Sequence, residues 1–578
     1  MSQSSKLLVA AIDFGTTYSG YAFSFRHDFE KDPCKVSSHN WTAASRGLVS
    51  LKTPTSILLN PQQEFECFGY DAEDRYTALA NEDLHEEWYY FRRFKMMLHG
   101  KLGIKRDVNV KTVDGKKELP ALTIFSMAIK FLKDHLTTTL DKRDTGVRPD
   151  DVQWVLTVPA IWNDPAKQFM REAAEKAGID GDNLIIALEP EAASMFCKYM
   201  PVEKGTDSLQ TFKPGSKYII LDCGGGTVDI TVHQVQEDKS LKELYKASGG
   251  AWGGIQVDEA FKQMVIKITG SNVYFNFCDK NAADFVDMFR EFELKKRCFS
   301  GNEKQITIKL PVSLKETFEE ETEESIQDVL FQSSYSGKMK WTSDKLRINS
   351  GLFATLFDVV TKNIVEHLSN LLREPEVKGT TNIIMVGGFS ESSIIQAKVK
   401  EAFPDMTVII PTEAGLSVLK GAVIFGHIPR TIKSRKAKYT YGLAIMTNFV
   451  KGRHRDDKKE FIGDQVKCKD IFSVHVEKGQ TLESEEAQSE KCYNPVEPDQ
   501  KEIIFQFYIS DTQRPMYITD SGCTHIGKMK VLIPEISGGL DRPVKVSITF
   551  GGTELKVKAV EQKTNKATMV KLQFLDQN

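Results

Sequence analysis

The chain lacks any apolar run of the roughly 20 residues that a membrane-spanning helix requires. Its first apolar stretch, Leu7 to Ile12, is too short for the core of a secretory leader and runs straight into Asp13, so no signal peptide is expected. It also lacks C-x-x-C spacing. Nine cysteines, an odd number, are scattered from Cys34 to Cys523, a distribution that indicates neither zinc nor a disulfide framework and suits reduced thiols in the cytoplasm, with the nucleus as a second compartment. A formal net charge of −3 gives no global attraction to nucleic acid or to an anionic membrane, so partners must be argued locally. What remains is an ordinary globular composition, 41% hydrophobic and 27% charged, on 578 residues, which is too long for one core and implies two to four domains.

The most informative stretch is Lys217 to His233. Tyr218 to Leu221 form a short β-rich apolar run that stops at Asp222, and Gly224, Gly225 and Gly226 follow. Without Cβ atoms these glycines let backbone N–H groups close on an anion, and Thr227 adds a hydroxyl. Beyond the turn, Val228, Ile230 and Val232 alternate with Asp229, Thr231 and His233, the pattern of a half-buried strand. Asp222 and Asp229 would flank one Mg²⁺–phosphate cluster; the alternative is an acidic-tipped glycine hairpin without a ligand. Leu7 to Phe25 repeats the design, with Asp13, Gly15, Thr16 and Thr17 at its corner. Two such hairpins point to a duplicated, two-lobed fold gripping phosphates from both sides.

Between them the chain alternates helix and strand. Gln62 to Tyr70 reads as a short hairpin or strand, and Asp83 to His99 as an amphipathic, aromatic-rich segment capping a core rather than a nucleic-acid contact. A helix is expected from Pro120 through Leu140. Trp154 to Ala160 is a strand ended by Pro159; a helix capped by Asn163 or Asp164 runs to Gly178; Leu184 to Leu188 is a strand delivering Glu189, which is either a catalytic carboxylate or part of a turn. This βαβ order implies a mainly parallel sheet whose ligands gather at the carboxyl ends of strands. Ser248 to Gly254 is a glycine-rich loop. Asp284 to Phe299 reads as a helix, and Lys315 to Glu324 as a solvated acidic face. A long amphipathic helix runs from a cap near Ser350 to before Pro375, and Asn382 to Gly388 is a strand emptying into two glycines, with Ser390 or Ser392 opening the next helix.

After a boundary near residues 428–440, where Lys433 to Lys438 reads as a basic linker, the helical periodicity disappears. Short alternating runs at Ile503 to Ile509, Met529 to Ile533, Val544 to Phe550, Leu555 to Val560 and Thr568 to Phe574 indicate an all-β, sandwich-like domain. Asp456 to Glu460 and Glu483 to Glu490 read as mobile charged loops. The expected division is 1–428, 429–440 and 441–578.

Ile12-Asp-Phe-Gly-Thr-Thr-Tyr-Ser19, Thr157-Val-Pro-Ala160 with Asn163-Asp164, Glu189-Pro190 with Ala192-Ala193, Leu221-Asp-Cys-Gly-Gly-Gly-Thr-Val-Asp229 and Met385-Val-Gly-Gly388 stand in the order and rough spacing of the seventy-kilodalton heat-shock protein family. Over about residues 6–426 the chain resembles that family, and within it is similar to the divergent twelve-type subfamily. The resemblance implies an α/β, two-lobed actin-like ATPase domain followed by the smaller β domain, without a helical lid.

It also implies ATP or ADP with Mg²⁺. Asp13, Asp222 and Asp229 would surround the metal through water. Gly15, Thr16, Thr17, Tyr18 and Gly224 to Thr227 would hold phosphates. Lys95 would be the catalytic lysine, with Arg92 or Arg93 as alternatives, and Glu189, Asp222 and Thr227 would complete the catalytic group. Gly253, Gly254, Glu293, Lys296, Arg297, Ser300, Gly387 and Gly388 would enclose the nucleoside, and Pro159 corresponds to a residue implicated in switching between lobes. Two departures accompany the resemblance: Glu391 stands where the family has an arginine near the adenine, and the connecting segment is basic rather than acidic and leucine-rich. The expected function is a weakly hydrolysing, chaperone-like stress-response protein that binds polypeptide clients and works with co-chaperones or exchange factors. The alternatives are a nucleotide-gated signalling or interaction protein and a small-molecule kinase of the same superfamily.

Overall fold

All seven residues of the strand Leu8–Phe14 are buried, which requires cover on both of its faces. The computed structural model, which describes residues 6–43, 48–100, 104–200, 211–484, 486–551, 554–563, 565, 567–571 and 574–575, shows how that cover arises. Positions 572–573 of the run Thr568 to Phe574 read from the sequence lie outside this description. Leu8–Phe14 is the middle of a sheet ordered Leu184–Leu188, Val152–Val158, Leu8–Phe14, Tyr18–Phe25, Ser37–Ser38. Its first three strands are mutually parallel and the next is an antiparallel hairpin partner. A second sheet repeats the order with Thr407–Ile409, Asn382–Val386, Lys217–Cys223, Val228–Val235 and Leu241–Gly250, again parallel through the first three and antiparallel thereafter. The fold is mixed α/β, and the repeated hairpin in the sequence marks a repeated sheet.

Alternation along each central strand divides the core into layers. Leu8, Ala10 and Ile12 point into one cluster with the helix Ala121–Lys142, while Val9 and Ala11 point the other way. There they meet Tyr218 and Ile220 of the second sheet across the helices Glu189–Tyr199 and Ser417–His427. The outer face of the second sheet, with Ile219, Leu221, Val228 and Ile230, packs against a third layer that includes Phe261, Phe292 and Phe357. Covered on both sides, Val228–Val235 is not the half-buried strand its alternation suggests. Asp229, Thr231 and His233 are as fully buried as the valines, because their side faces the other half of the molecule instead of solvent.

Several local expectations change for identifiable reasons. Ser350 to Leu371 is not one helix: a 3₁₀ turn at Thr355–Phe357 separates Ser350–Ala354 from Asp358–Leu371, and Asn349 is the cap, its Oδ1 accepting from Leu352 N at 2.8 Å. The turn brings Phe353 and Phe357 to within 4.7 and 6.0 Å of the Phe299 ring. Ser392 precedes the helix Ser393–Ala402, after a 3₁₀ turn at Gly388–Glu391. The basic segment is itself a strand. Ile432–Lys436 extends the second sheet beside Leu241–Gly250, and Arg435 makes a two-pronged ion pair with buried Glu191 at 2.6 and 2.7 Å.

Beyond it lie a sheet of five antiparallel strands (Lys459–Ile462, Gln465–Val476, Thr440–Asn448, Glu502–Ser510, Cys523–Leu532) and one of four (Ala487–Tyr493, Val544–Gly551, Glu554–Glu561, Ala567–Lys571), whose inner strands share one core. Lys459–Ile462 and Ala487–Tyr493 fall where charged loops are expected. Each lies at the edge of its sheet, where charge discourages pairing with another chain. This region also touches the first sheet's flank: Arg171 pairs with Glu554, Phe574 N donates to Gln168 Oε1 at 2.7 Å, and Tyr441 OH donates to Asp164 at 3.3 Å. No helix among the described residues is long and apolar enough to cross a membrane.

Two outcomes are expected from these contacts. Because Glu191 is 1% exposed, Arg435→Ala strands a buried carboxylate and should cost about 3–5 kcal/mol in denaturant-induced unfolding, most of it recovered in the Glu191→Gln/Arg435→Met double variant. His427 ends its helix stacked on Phe29 at 4.2 Å, with Nε2 2.9 Å from Ser24 Oγ, and burial, aided by the Arg26 charge, lowers its pKa from 6.5 to about 4. The unfolded chain therefore binds the proton first. This contribution is complete above pH 6.5 and is lost as pH falls toward 4, by about 3 kcal/mol, and His427→Gln should flatten that part of the unfolding-midpoint profile.

Candidate functional site

The register of each sheet decides what stands at its carboxyl edge. In the first, Ile12 pairs with Leu156 and Val158 with Leu188, so Asp13, Thr157 and Glu189 emerge side by side. Thr157 Oγ1 donates to Asp13 Oδ1 at 2.9 Å. In the second, Asp222 is opposite both Asp229 and Val386, which places two carboxyls on one face and leads directly into Gly387 and Gly388. The two edges face each other across a cleft of about 540 Å³.

The cleft gathers most of the residues singled out from the sequence: Asp13, Gly15, Thr16, Thr17 and Tyr18 from the first hairpin, Asp222 and Gly224 to Thr227 from the second, and Lys95, Glu189, Gly254, Glu293, Lys296, Arg297, Gly387 and Gly388. Three stand apart. Asp229 lies behind the wall, its Oδ1 accepting from Ile161 N at 2.9 Å. Gly253 supports the second hairpin from outside, donating to Gly226 O at 3.2 Å. The helix Ala282–Cys298 ends before Ser300, whose hydroxyl donates to Glu303 at 2.9 Å.

Geometry separates the three basic candidates. Lys95, 2% exposed, donates to Glu189 Oε1 at 2.7 Å; Arg92 lies 3.7 Å from Glu73, and Arg93 pairs with Asp258 at 2.7 Å. At the far end, Lys296 Nζ lies 2.6 Å from both Asp258 and Glu293, while Arg297 pairs with Glu293 at 2.7 Å and stacks over the Tyr18 ring at 4.6 Å. Glu391 also lines the cleft, its Oε1 accepting from Gly415 N at 3.0 Å.

Asp258 and Lys52 escape the sequence reading, since neither belongs to a glycine turn or a strand–turn motif, and Thr157, quoted there within Thr157-Val-Pro-Ala160, has no role of its own in it. Lys52 is the most consequential, its Nζ 2.6 Å from Asp13 Oδ2.

Electrostatically the cleft floor is strained. Burial opposes ionisation of Asp13, yet the charge and hydrogen bond of Lys52, helped by Lys95 and Thr157, hold its pKa below the usual value. Burial prevails at Glu189, raising it to about 7 against the pull of Lys95, with Asp13 and Asp229 adding to the rise. Asp222 is raised well above its ordinary value by burial and by Glu189, Asp229 and Asp13. Asp229 is raised by burial, against hydrogen bonds from Ile161 and Thr227.

Four carboxylates thus face two ammonium groups, an excess of two negative charges when all are ionised. A divalent cation fits that imbalance. Among the described residues no three acids converge tightly enough to hold a metal directly, so Mg²⁺ would be held through water and ligand oxygens, its usual habit.

The two hairpin tips are in contact. A Cβ on Gly225 would strike the Thr17 side chain, and one on Gly226 would strike Thr16 and Met96. A Cβ on Gly253 would overlap the Gly225 carbonyl, which is backbone and cannot swing away. Gly253→Ala should therefore cost more than Gly226→Ala, by about 1–3 kcal/mol, in paired thermal unfolding measurements.

Residues 213–411 match a family model described as "Domain of unknown function (DUF8340)". The chain is 34% identical to heat shock 70 kDa protein 12B of Homo sapiens and 35% identical to heat shock 70 kDa protein 12A of Mus musculus, each over 99% of this chain and 92% of the relative. It is 23% identical to the chaperone protein HscA homolog of Acinetobacter baumannii (strain AYE), over 54% of this chain and 43% of that protein. With near full-length identity of this order to the twelve-type proteins, the chain belongs to the heat shock 70 kDa protein family as a divergent member of its twelve type.

Proposed function

We propose that the protein binds ATP between its two hairpins, hydrolyses it slowly with Mg²⁺, and uses the nucleotide state to control polypeptide binding by its β-rich C-terminal region. The observation that carries this reading is the convergence of Asp13 and Asp222, each beside a Gly/Thr turn, on one cleft whose floor holds the Lys95–Glu189 pair. Backbone N–H groups of Gly15 to Thr17 and of Gly225 to Thr227 would suit phosphate oxygens, while the Gly224 N–H closes the hairpin on Thr227 O at 2.9 Å. Bound Mg²⁺ would neutralise charge developing on the phosphates. Glu189, its carboxyl raised to about 7 and its orientation fixed by Lys95, is suited to orient water for in-line attack, with Asp222 beside it. The side chains of Glu293, Lys296 and Arg297 would border the nucleoside.

Glu391 favours a second reading, a nucleotide-gated interaction protein with little turnover. Anchored by Gly415 N–H at the cleft wall, it would set a carboxylate near the base and change what the pocket accepts. In both readings clients, signalling partners or exchange factors meet the C-terminal region, and stress-responsive chaperoning is the first reading's physiological expression.

Calorimetry of the purified protein with Mg-ATP tests the shared claim: saturable binding is expected, and none to any nucleotide removes both readings. Asp222→Asn should reduce phosphate release by at least about tenfold while leaving the thermal midpoint within the range of a surface substitution. Unchanged turnover would exclude Asp222 from the chemistry. Steady-state hydrolysis with suppression of client aggregation selects the first reading, and binding without either selects the second.

A further inference from the structure

Lys52 belongs to neither hairpin, yet the fold delivers it to the phosphate end of the cleft. Immediately after it, Thr53 and Pro54 pair antiparallel with Ser19 and Tyr18, which ties this segment to the first hairpin. Gly20 lets it lie close, since a Cβ there would stand 3.1 Å from the Leu51 carbonyl oxygen and 3.2 Å from Lys52 Cγ. The Lys52 backbone N–H donates to Ser50 Oγ at 3.3 Å. From this anchored base the side chain, 18% exposed, runs inward to place Nζ 2.6 Å from Asp13 Oδ2, while Asp13 Oδ1 is occupied by Thr157. Lys52, Asp13, Thr16, Thr17 and Gly225 all line the cleft, with Lys52 against Asp13 and Gly225 against Thr17.

A lysine ammonium is a compact charge with three donors. One is used on Asp13, and two are left for oxygens in the cleft. The chain therefore carries, on a fixed backbone, a positive charge beside the acid that would otherwise need a hydrated cation to stand next to phosphate.

We propose that Lys52 is a built-in cation of the phosphate subsite, bridging Asp13 to nucleotide phosphate oxygens so that nucleoside di- and triphosphates bind without a divalent ion. The proposal rests on the nucleotide-binding reading above and separates two metal requirements: hydrolysis depends on Mg²⁺, and retention of the nucleotide does not. Such a cleft stays loaded whatever the Mg²⁺ supply, which suits a protein gated by nucleotide occupancy.

Calorimetric titration of the full chain with ATP and with ADP, each in Mg²⁺ and in EDTA, tests it. Wild-type affinities in the two conditions are expected to agree within about fivefold. Lys52→Met, which keeps the stem and removes the charge, is expected to lose more than about fivefold in EDTA and less than that in Mg²⁺. A matching thermal midpoint establishes that the variant is folded, and the wild-type comparison needs no variant. Wild-type binding that falls by more than about fivefold on chelation overturns the proposal and leaves the nucleotide-binding reading standing. A Lys52→Met loss of equal size in both conditions does the same. Absence of binding in either condition overturns both.

Discussion

Burying Asp13, Glu189 and Asp222 on one cleft, with Asp229 behind its wall, sets like charges against each other where water cannot screen them, and much of the surrounding structure answers that repulsion. Lys52 is held on Asp13 and Lys95 on Glu189; Ile161 N–H and Thr227 support Asp229. The residual negative charge favours positive charge in the cleft, and Lys52 supplies one such charge from the chain itself, beside Asp13. A nucleotide with or without its metal would meet this demand, and the glycine-rich tips would supply donors for its oxygens.

The same floor connects to the C-terminal strands through a short series of contacts. Ile161 donates its N–H to Asp229 and accepts from Lys438 Nζ on its carbonyl, so the backbone of one residue touches both the acid cluster and the segment leading into the β-rich region. Two residues beyond Glu189, Glu191 is gripped by Arg435 of the same segment. Burial lowers the Lys438 pKa to about 8, consistent with its place inside this junction rather than on a free linker. A shift of the floor that moves Asp229 or the start of the Glu189–Tyr199 helix would be felt at these two contacts, which gives the basic connecting strand a physical reason for its composition.

The hairpin end of the cleft was legible because strand, acid and glycine are consecutive there: Asp13 to Thr17 and Asp222 to Thr227 carry their geometry in their own order. Glu189 was legible as the residue leaving a buried strand. Lys52 and Asp258 were not, since their roles arise from pairings with residues 39 and 38 positions distant. The half-buried reading of Val228–Val235 failed because alternating polarity reports chemistry, while burial of the polar face depended on a second sheet and two helices packing over it. Charged edge strands at Lys459–Ile462 and Ala487–Tyr493 passed for loops, since protecting an edge and solvating a loop call for the same residues.

The central claim is that two separate hairpins close on one ligand. Amide hydrogen exchange of the full chain, with and without saturating ATP, tests it most directly. The account predicts that the amides of Gly15 to Thr17, of Gly224 to Gly226, and of Gly387 and Gly388 become protected together at one nucleotide concentration. Protection of only one hairpin, or changes confined to the C-terminal strands with both tips unaltered, would contradict it.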